Sequence, residues 1–447
     1  MTSPSYDPTP FGAPMLKHFL FDPKYKNLNH AQVKYALRKY QDEIEATPDP
    51  FIRHTQGELI DKSRVATAKV LNVPVQEVVL VKNATTGVNT VLRNLSYKEG
   101  DVLIYFATTY GAVEKTITSL TETTPLRARK VDYTCPVSHK TLVQKFRGIV
   151  EQARSEGLNV KVAVFDTVTS LPGMRFPFEE LTRVCKDEGI FSLIDGAHGI
   201  GHIPLDLNEL QPDFFTSNLH KWLYVPRGCA VLYVPLRNQH LIRTTLPTSW
   251  GFIADPQLST SDKPNILTPV GSNRSAFEEL FQFVATSDDA AYLTVPDAIR
   301  FRTDVCGGDD AIFKYLEELS NEGGDIVAAA LGTNVLQEPG LRSGERSEIR
   351  RCGMSTVRLP IAIGHQGDET SSSPYPPVSA DDVSKVVNFL QMTLKDEFRT
   401  FVPIFQHGDW LWTRLSAQVY LEKKDFEWLG EVLKGLVERV GKAEYRD

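Results

Sequence analysis

Paired cysteines are missing from this chain. Its five cysteines (Cys135, Cys185, Cys229, Cys306 and Cys352) are scattered, odd in number and never spaced as CxxC. That pattern argues against a disulfide framework or a zinc site and for a reducing compartment. Long apolar runs are missing too, since none approaches the ~18 residues that a membrane-spanning helix requires. There is no extended basic run, and the net charge is -7, so nucleic acid and anionic membrane are poor partners. The opening MTSPSYDPTPFG carries neither a basic nor an apolar region, so no secretory signal is expected and the cytoplasm is the expected compartment. What is present suits a folded protein: 41% hydrophobic and 23% charged residues over 447 positions. That length exceeds one ordinary core, and two domains are expected.

One stretch organises the rest: FSLIDGAHGIGHIPLDLNELQPDFFTSNLHKWLYVPRGCAVLYV, residues 191–234. It reads as strand, glycine-rich turn, short connection, polar turn and strand. The apolar run from Phe191 to Ile194 ends on Asp195, where open α/β sheets place their ligands. Lys221 follows in the polar turn TSNLHKW. A strand-end acid and a lysine in a turn suit an enzyme of pyridoxal phosphate. The carboxylate keeps the pyridine nitrogen protonated, and the amine forms the Schiff base. Either residue alone is equally at home as a surface lysine or a helix-capping acid. Upstream, the strand at 77–81 opens into Asn83-Ala84-Thr85-Thr86-Gly87 and then a helix, which is a ready anion site. An ordinary N-cap uses the same residues.

The two motifs DGAHGIGHIPLDL and SNLHKWLYVPRGCAVLYV together resemble the class V aminotransferase family of pyridoxal-phosphate enzymes. Within it the match is to the branch holding isopenicillin N epimerase-like proteins and the fungal hercynylcysteine sulfoxide lyases of ergothioneine biosynthesis. The resemblance runs from Phe11 to about Leu433. It implies an α/β fold of the fold-type I kind, with a large domain built on a mainly parallel seven-stranded sheet and a smaller α+β C-terminal domain. The expected division is an arm at 1–30, a pyridoxal-phosphate domain at 31–290 and a small domain at 291–447.

The resemblance also implies roles. The cofactor phosphate falls on Ala84, Thr85 and Thr86, and Tyr110 stacks on the pyridine ring with a hydroxyl able to carry a proton. Ser170 lies beside cofactor and substrate, and His198 touches the phenolic oxygen. Ser217 and His220 neighbour the phosphate or the Schiff base of Lys221, whereas Asn218 reads as a turn residue. Thr286 reaches across a homodimer interface to the second copy's cofactor. Arg414, in an Arg-x-Ser segment, grips the substrate carboxylate with its planar fork of donors, and Arg358 is a second candidate. One departure stands out. Relatives carry a Gly-Ser-aromatic-Gly turn after the Asn29-His30 pair, and here His30 runs straight into Ala31.

Between these motifs strands and helices alternate from 77 to 234, which implies a mainly parallel sheet. The helix from Glu58 to Leu71 is expected to bury Leu59, Val65, Ala66, Val70 and Leu71. Trp410 to Tyr420 alternates like an edge strand. His198 and His202 share a metal-ligand spacing, but Gly196, Gly199 and Gly201 break any helix there, so no metal is expected. Cys306 and Cys352 lack the loop motif of cysteine desulfurases, which disfavours persulfide chemistry. The expected reaction is carbon–sulfur β-elimination from a cysteine sulfoxide, foremost hercynylcysteine sulfoxide, with Lys221 and Tyr110 as catalytic groups. Epimerisation or desulfuration within the same family is the alternative. Tyr110, Trp250, Phe252, Trp410 and Trp412 form an aromatic rim suited to a trimethylated ammonium.

Overall fold

The computed structural model describes residues 8–29, 36–254, 273–342, 344–364, 374–375 and 377–446. His30, Ala31, Val33 and the Pro/Ser-rich positions 366–373 and 376 lie outside the described residues. Seven strands form the larger sheet: β1 (Val78–Val81), β2 (Asp101–Phe106), β3 (Arg127–Val131), β4 (Asn159–Asp166), β5 (Phe191–Asp195), β6 (Phe214–Ser217) and β7 (Ala230–Tyr233). Their order is β1-β7-β6-β5-β4-β2-β3. β7 runs antiparallel to both β1 and β6, while all other pairs are parallel. The expected fold class is met.

The sheet is the middle layer between two cores. Val78 and Leu80 face one apolar cluster, and Val79 and Val81 face the other. Ile194 and Leu193 divide in the same way, because successive side chains leave a strand on opposite faces. Helices cover both faces, so these strands read as unbroken apolar runs. The parallel register sets Asp166 of β4 beside Asp195 of β5 at the carboxyl edge.

A second sheet of β8 (Met354–Ala362), β9 (Ile404–His407) and β10 (Trp410–Ser416) is antiparallel, in the order β8-β10-β9. Helices Asp309–Leu331 and Lys423–Gly441 pack on each other, and both contact β8. The N-terminal segment docks here as well: Gly12 N–H donates to the Val419 carbonyl at 2.8 Å and Tyr420 Oη–H to the Asn29 carbonyl at 2.7 Å. No helix among the described residues is long and apolar enough to cross a membrane.

Two expectations need correction. β10 is not an edge strand; it lies between β8 and β9, and alternation reads the same in either place. The helix Gln56–Leu71 buries Ile60, Arg64, Thr67, Ala68 and Leu71, while Val65 is exposed. Arg64 sets that face. It pairs with Glu278 and donates to the carbonyls of Val78 at 2.7 Å and Val75 at 2.9 Å, so a charged side chain sits where an apolar one was expected.

Gly201 shows how little slack exists near the carboxyl edge. Its φ is +75°, and a Cβ there would stand 2.7 Å from the Trp222 carbonyl oxygen. Gly201→Ala is therefore expected to destabilise the protein by about 2–3 kcal/mol, from left-handed strain and overpacking together. A urea denaturation midpoint matching the wild type would contradict this.

Candidate active site

The carboxyl edges of β4, β5 and β6 converge on one amine. Asp195 is buried at the end of β5 and accepts the Ala197 N–H at 3.0 Å. The glycine-rich turn then folds back, with Gly196 N–H donating to the Thr216 carbonyl at 2.7 Å. Ser217, at the end of β6, braces that turn by donating to the Gly196 carbonyl and accepting the Ile200 N–H at 3.1 Å. One helical turn, Leu219–Trp222, carries Lys221 and Trp222 inward. Lys221 Nζ lies 2.9 Å from His198 Nε2, and Trp222 Nε1–H donates to His198 Nδ1 at 3.1 Å.

His202 stacks on Trp222 with ring centroids 3.7 Å apart and planes 4° from parallel. Its Nδ1 lies 2.7 Å from the His198 carbonyl, and its Nε2 accepts the Gly353 N–H at 2.7 Å. The two histidines thus have occupants other than a metal. Among the described residues no His, Cys, Asp or Glu side chains cluster as metal ligands.

Electrostatics follow from burial. Desolvation pulls the Lys221 amine down from 10.5 to about 8, with Asp195 and Asp166 opposing and Arg414 assisting. Burial pushes the Asp195 carboxyl up. Asp166 goes well above the carboxylate range, first through burial and then through the charge of Asp195. Both acids are thus held above the ordinary carboxylate range, Asp166 further than Asp195. Nothing in the reading of the sequence gave Asp166 a role, although VAVFD repeats the strand-end acid of FSLID.

Arg414 of β10 enters from the other sheet. Its Nη1 donates to the Ser170 carbonyl at 3.0 Å and lies 3.4 Å from Ser170 Oγ, while its buried Nε has no partner. Gly173 makes room, since a Cβ there would meet Arg414 Cγ at 2.8 Å. No carboxylate pairs with Arg414 among the described residues, and burial alone lowers it from 12.5 to about 10.

The helix Ala84–Asn94 starts beside this group. Asn83 Oδ1 accepts the Thr86 N–H at 2.8 Å, and Asn218 Oδ1 accepts the Ala84 N–H at 2.8 Å. Asn218 therefore does more than turn the chain; it ties the helix start to the Lys221 turn. Two of the three N–H groups at Ala84, Thr85 and Thr86 are already engaged.

Tyr110 precedes the helix Gly111–Thr123 and is 50% exposed. Thr286 is exposed between Gln282 and Ala290. His220 Nδ1 lies 2.7 Å from the Cys229 carbonyl, which leaves Nε2 for a ligand. Arg358 lies over the Trp410 ring at 4.4 Å, in a cleft with Cys135, Glu338 and His407. Lys221, His198, Asp195 and Arg414 do not line that cleft. Of the five aromatics expected at a rim, Tyr110, Trp250 and Phe252 are exposed, Arg358 lies over Trp410, and Trp412 is buried with Nε1–H donating to the His407 carbonyl at 3.0 Å.

Residues 29–259 match the family model for aminotransferase class V. This chain belongs to the class V aminotransferases. It is 44% identical to the L-cysteine desulfhydrase-like protein lolT1 of Epichloe uncinata, over 96% of this chain and 97% of the relative. It is 27% identical to the hercynylcysteine sulfoxide lyase of Schizosaccharomyces pombe, over 95% of this chain and 97% of that protein. Among solved structures, the cystine C–S lyase C-DES in complex with cysteine persulfide superposes with a TM-score of 0.69 at 17% identity, covering 94% of this chain and 99% of that one. That likeness concerns the fold.

Pyridoxal phosphate is the cofactor of this class V enzyme. The residues present fit the group: a part-buried amine whose hold on its proton is weakened, a buried strand-end carboxylate, and a helix N-terminus carrying the Thr85 and Thr86 hydroxyls. In protein stripped of cofactor, Lys221 is expected to acylate with a midpoint near pH 8, against 10.5 for an unperturbed lysine. Its free-amine fraction rises with pH through that window. Peptide mass spectrometry after pulse labelling reads the curve, and a midpoint at the ordinary lysine value would count against the burial argument.

Proposed function

We propose that this class V enzyme is a carbon–sulfur β-lyase acting on an S-substituted L-cysteine, with release of pyruvate and ammonia. The observation that carries this reading is the state of the thiols. All five cysteines are among the described residues, and all five are buried and unpaired. Burial pushes Cys306 up to about 12 and Cys352 to about 11, so neither presents a thiolate to receive sulfur. Sulfur then leaves on its own substituent. The names of the relatives, a desulfhydrase-like protein and a sulfoxide lyase, support the same chemistry.

Bound pyridoxal phosphate supplies a conjugated ring that accepts the electron pair left at Cα. The chain's own residues supply the rest. Asp195 would hold the ring nitrogen, Thr85 and Thr86 with the N-terminus of Ala84–Asn94 would hold the phosphate, and His198 would serve the phenolic oxygen. The unpaired guanidinium of Arg414, held by Ser170, forks onto the substrate carboxylate. Lys221 removes the Cα proton. As the Cβ–S bond breaks, its electron pair goes to sulfur, which takes a proton from Lys221 or Tyr110. Water then converts the three-carbon remainder to pyruvate and ammonia. Thr286 and the exposed Trp250 and Phe252 suit a homodimer in which Thr286 meets the second copy's phosphate.

Two substrates fit. A sulfoxide conjugate such as hercynylcysteine sulfoxide brings a good leaving group and would place the enzyme in ergothioneine formation. L-Cysteine is the second reading, favoured by the 44% identical relative. Purified protein incubated in parallel with hercynylcysteine sulfoxide, L-cysteine and isopenicillin N is expected to yield pyruvate from the conjugate without sulfide. Sulfide with pyruvate from cysteine establishes the second reading. Alanine with protein-bound persulfide overturns elimination altogether.

Two substitutions test the roles. Lys221→Ala is expected to abolish both pyruvate formation and the yellow absorbance of the bound cofactor. Arg414→Lys keeps the charge but loses the fork, and kcat/KM is expected to fall by about 10²-fold. Steady-state kinetics that leave Arg414→Lys at wild-type values would remove it from the substrate site.

A further inference from the structure

The hydrogen bonds around His198 admit a single arrangement of protons. An indole N–H can only donate, so the 3.1 Å contact from Trp222 Nε1 makes His198 Nδ1 an acceptor. A neutral imidazole carries its one proton on the other nitrogen. That nitrogen, Nε2, lies 2.9 Å from Lys221 Nζ. We propose that Trp222 is a positioning residue that locks His198 as the Nε2–H tautomer, so that His198 always turns a proton, never a lone pair, toward Lys221. The proposal rests on the reading of Lys221 as the amine of the cofactor site.

Trp222 is itself immobilised. It is fully buried, its ring is stacked on His202, and its carbonyl accepts from Arg302 Nη1 at 2.8 Å. His202 accepts the Gly353 N–H, so its Nδ1 carries the proton toward the His198 carbonyl. Both tautomers are thereby assigned from donors that cannot reverse. Burial drives His202 down to about 3, which keeps it neutral across the working range.

The lock has a chemical consequence. An ammonium at Lys221 can only donate, and an Nε2–H cannot accept from it. A free amine has a lone pair that can. Around the same amine stand Asp195, Asp166 and Arg414, with the two acids favouring the ammonium and Arg414 opposing it. His198 in its locked form adds to the side of the free amine. The same N–H is then available to the phenolic oxygen of the cofactor, as a donor with no alternative protonation to sample.

The test uses full-length protein with and without pyridoxal phosphate. In ¹⁵N-histidine-labelled wild type, long-range ¹H–¹⁵N spectra are expected to show His198 protonated on Nε2, assigned by the signal lost in His198→Gln. Trp222→Phe keeps a flat ring against His202 but removes the donor. It is expected to release the Nε2–H signature and to lower Lys221 acylation at pH 7.5 about tenfold, equivalent to one unit of pKa. An Nδ1–H signal in wild type would overturn the proposal, as would a Trp222→Phe spectrum and labelling curve unchanged from wild type. Should the Phe variant not fold, the wild-type spectrum alone decides. Failure to take up pyridoxal phosphate would defeat the cofactor reading but leave this tautomer measurement standing, so the two are separable.

Discussion

The site depends on one lysine amine drawn in against the carboxyl ends of the sheet. Lys221 is enclosed by the carboxyl edges of three neighbouring strands, and the cost of burying an ammonium there lowers its affinity for a proton. Two acids, Asp195 and Asp166, partly offset that cost. The parallel register of β4 and β5 places Asp166 level with Asp195, where burial raises both carboxyls and the charge of Asp195 raises Asp166 further. A lysine amine whose hold on its proton is weakened, with acids close by, is what carbanion chemistry at Cα asks of a protein.

Holding that arrangement requires close backbone approach. Gly196, Gly199 and Gly201 let the turn after β5 fold against Phe215, Thr167 and the Trp222 carbonyl, and Ser217 pins it from β6. The small sheet contributes in two places. Arg414 reaches Ser170 from β10, and the Gly353 N–H just before β8 reaches His202 and so the ring behind His198. The site is thus assembled from both sheets, and the arginine left without an anion lies at their junction. Cysteine is present but withdrawn. Every thiol is buried.

Much of this was legible in the chain. The alternation of strands and helices from 77 to 234 led to the parallel sheet, since buried strands on both faces must be apolar throughout. Asp195, Lys221 and Arg414 stood out because each lies in a motif whose residue types have few other joint explanations. Other residues were misplaced for identifiable reasons. Val65 looked buried because periodicity does not know that Arg64 has partners for its charge. β10 looked like an edge because alternation carries no count of neighbours. Arg358, the second candidate for the substrate carboxylate, has its guanidinium over the Trp410 ring, a contact the sequence does not announce.

The amino-acid order by itself determined the family, the cofactor and the residue types of the site, because local motifs encode strand ends, tight turns and helix starts within short spans. Only the tertiary structure decided which of those residues meet. Asp166, Asn218, Trp222 and His202 gained their places through strand register, hydrogen bonds and ring stacking between segments distant in the chain. Such contacts are set by packing, and no local pattern records them.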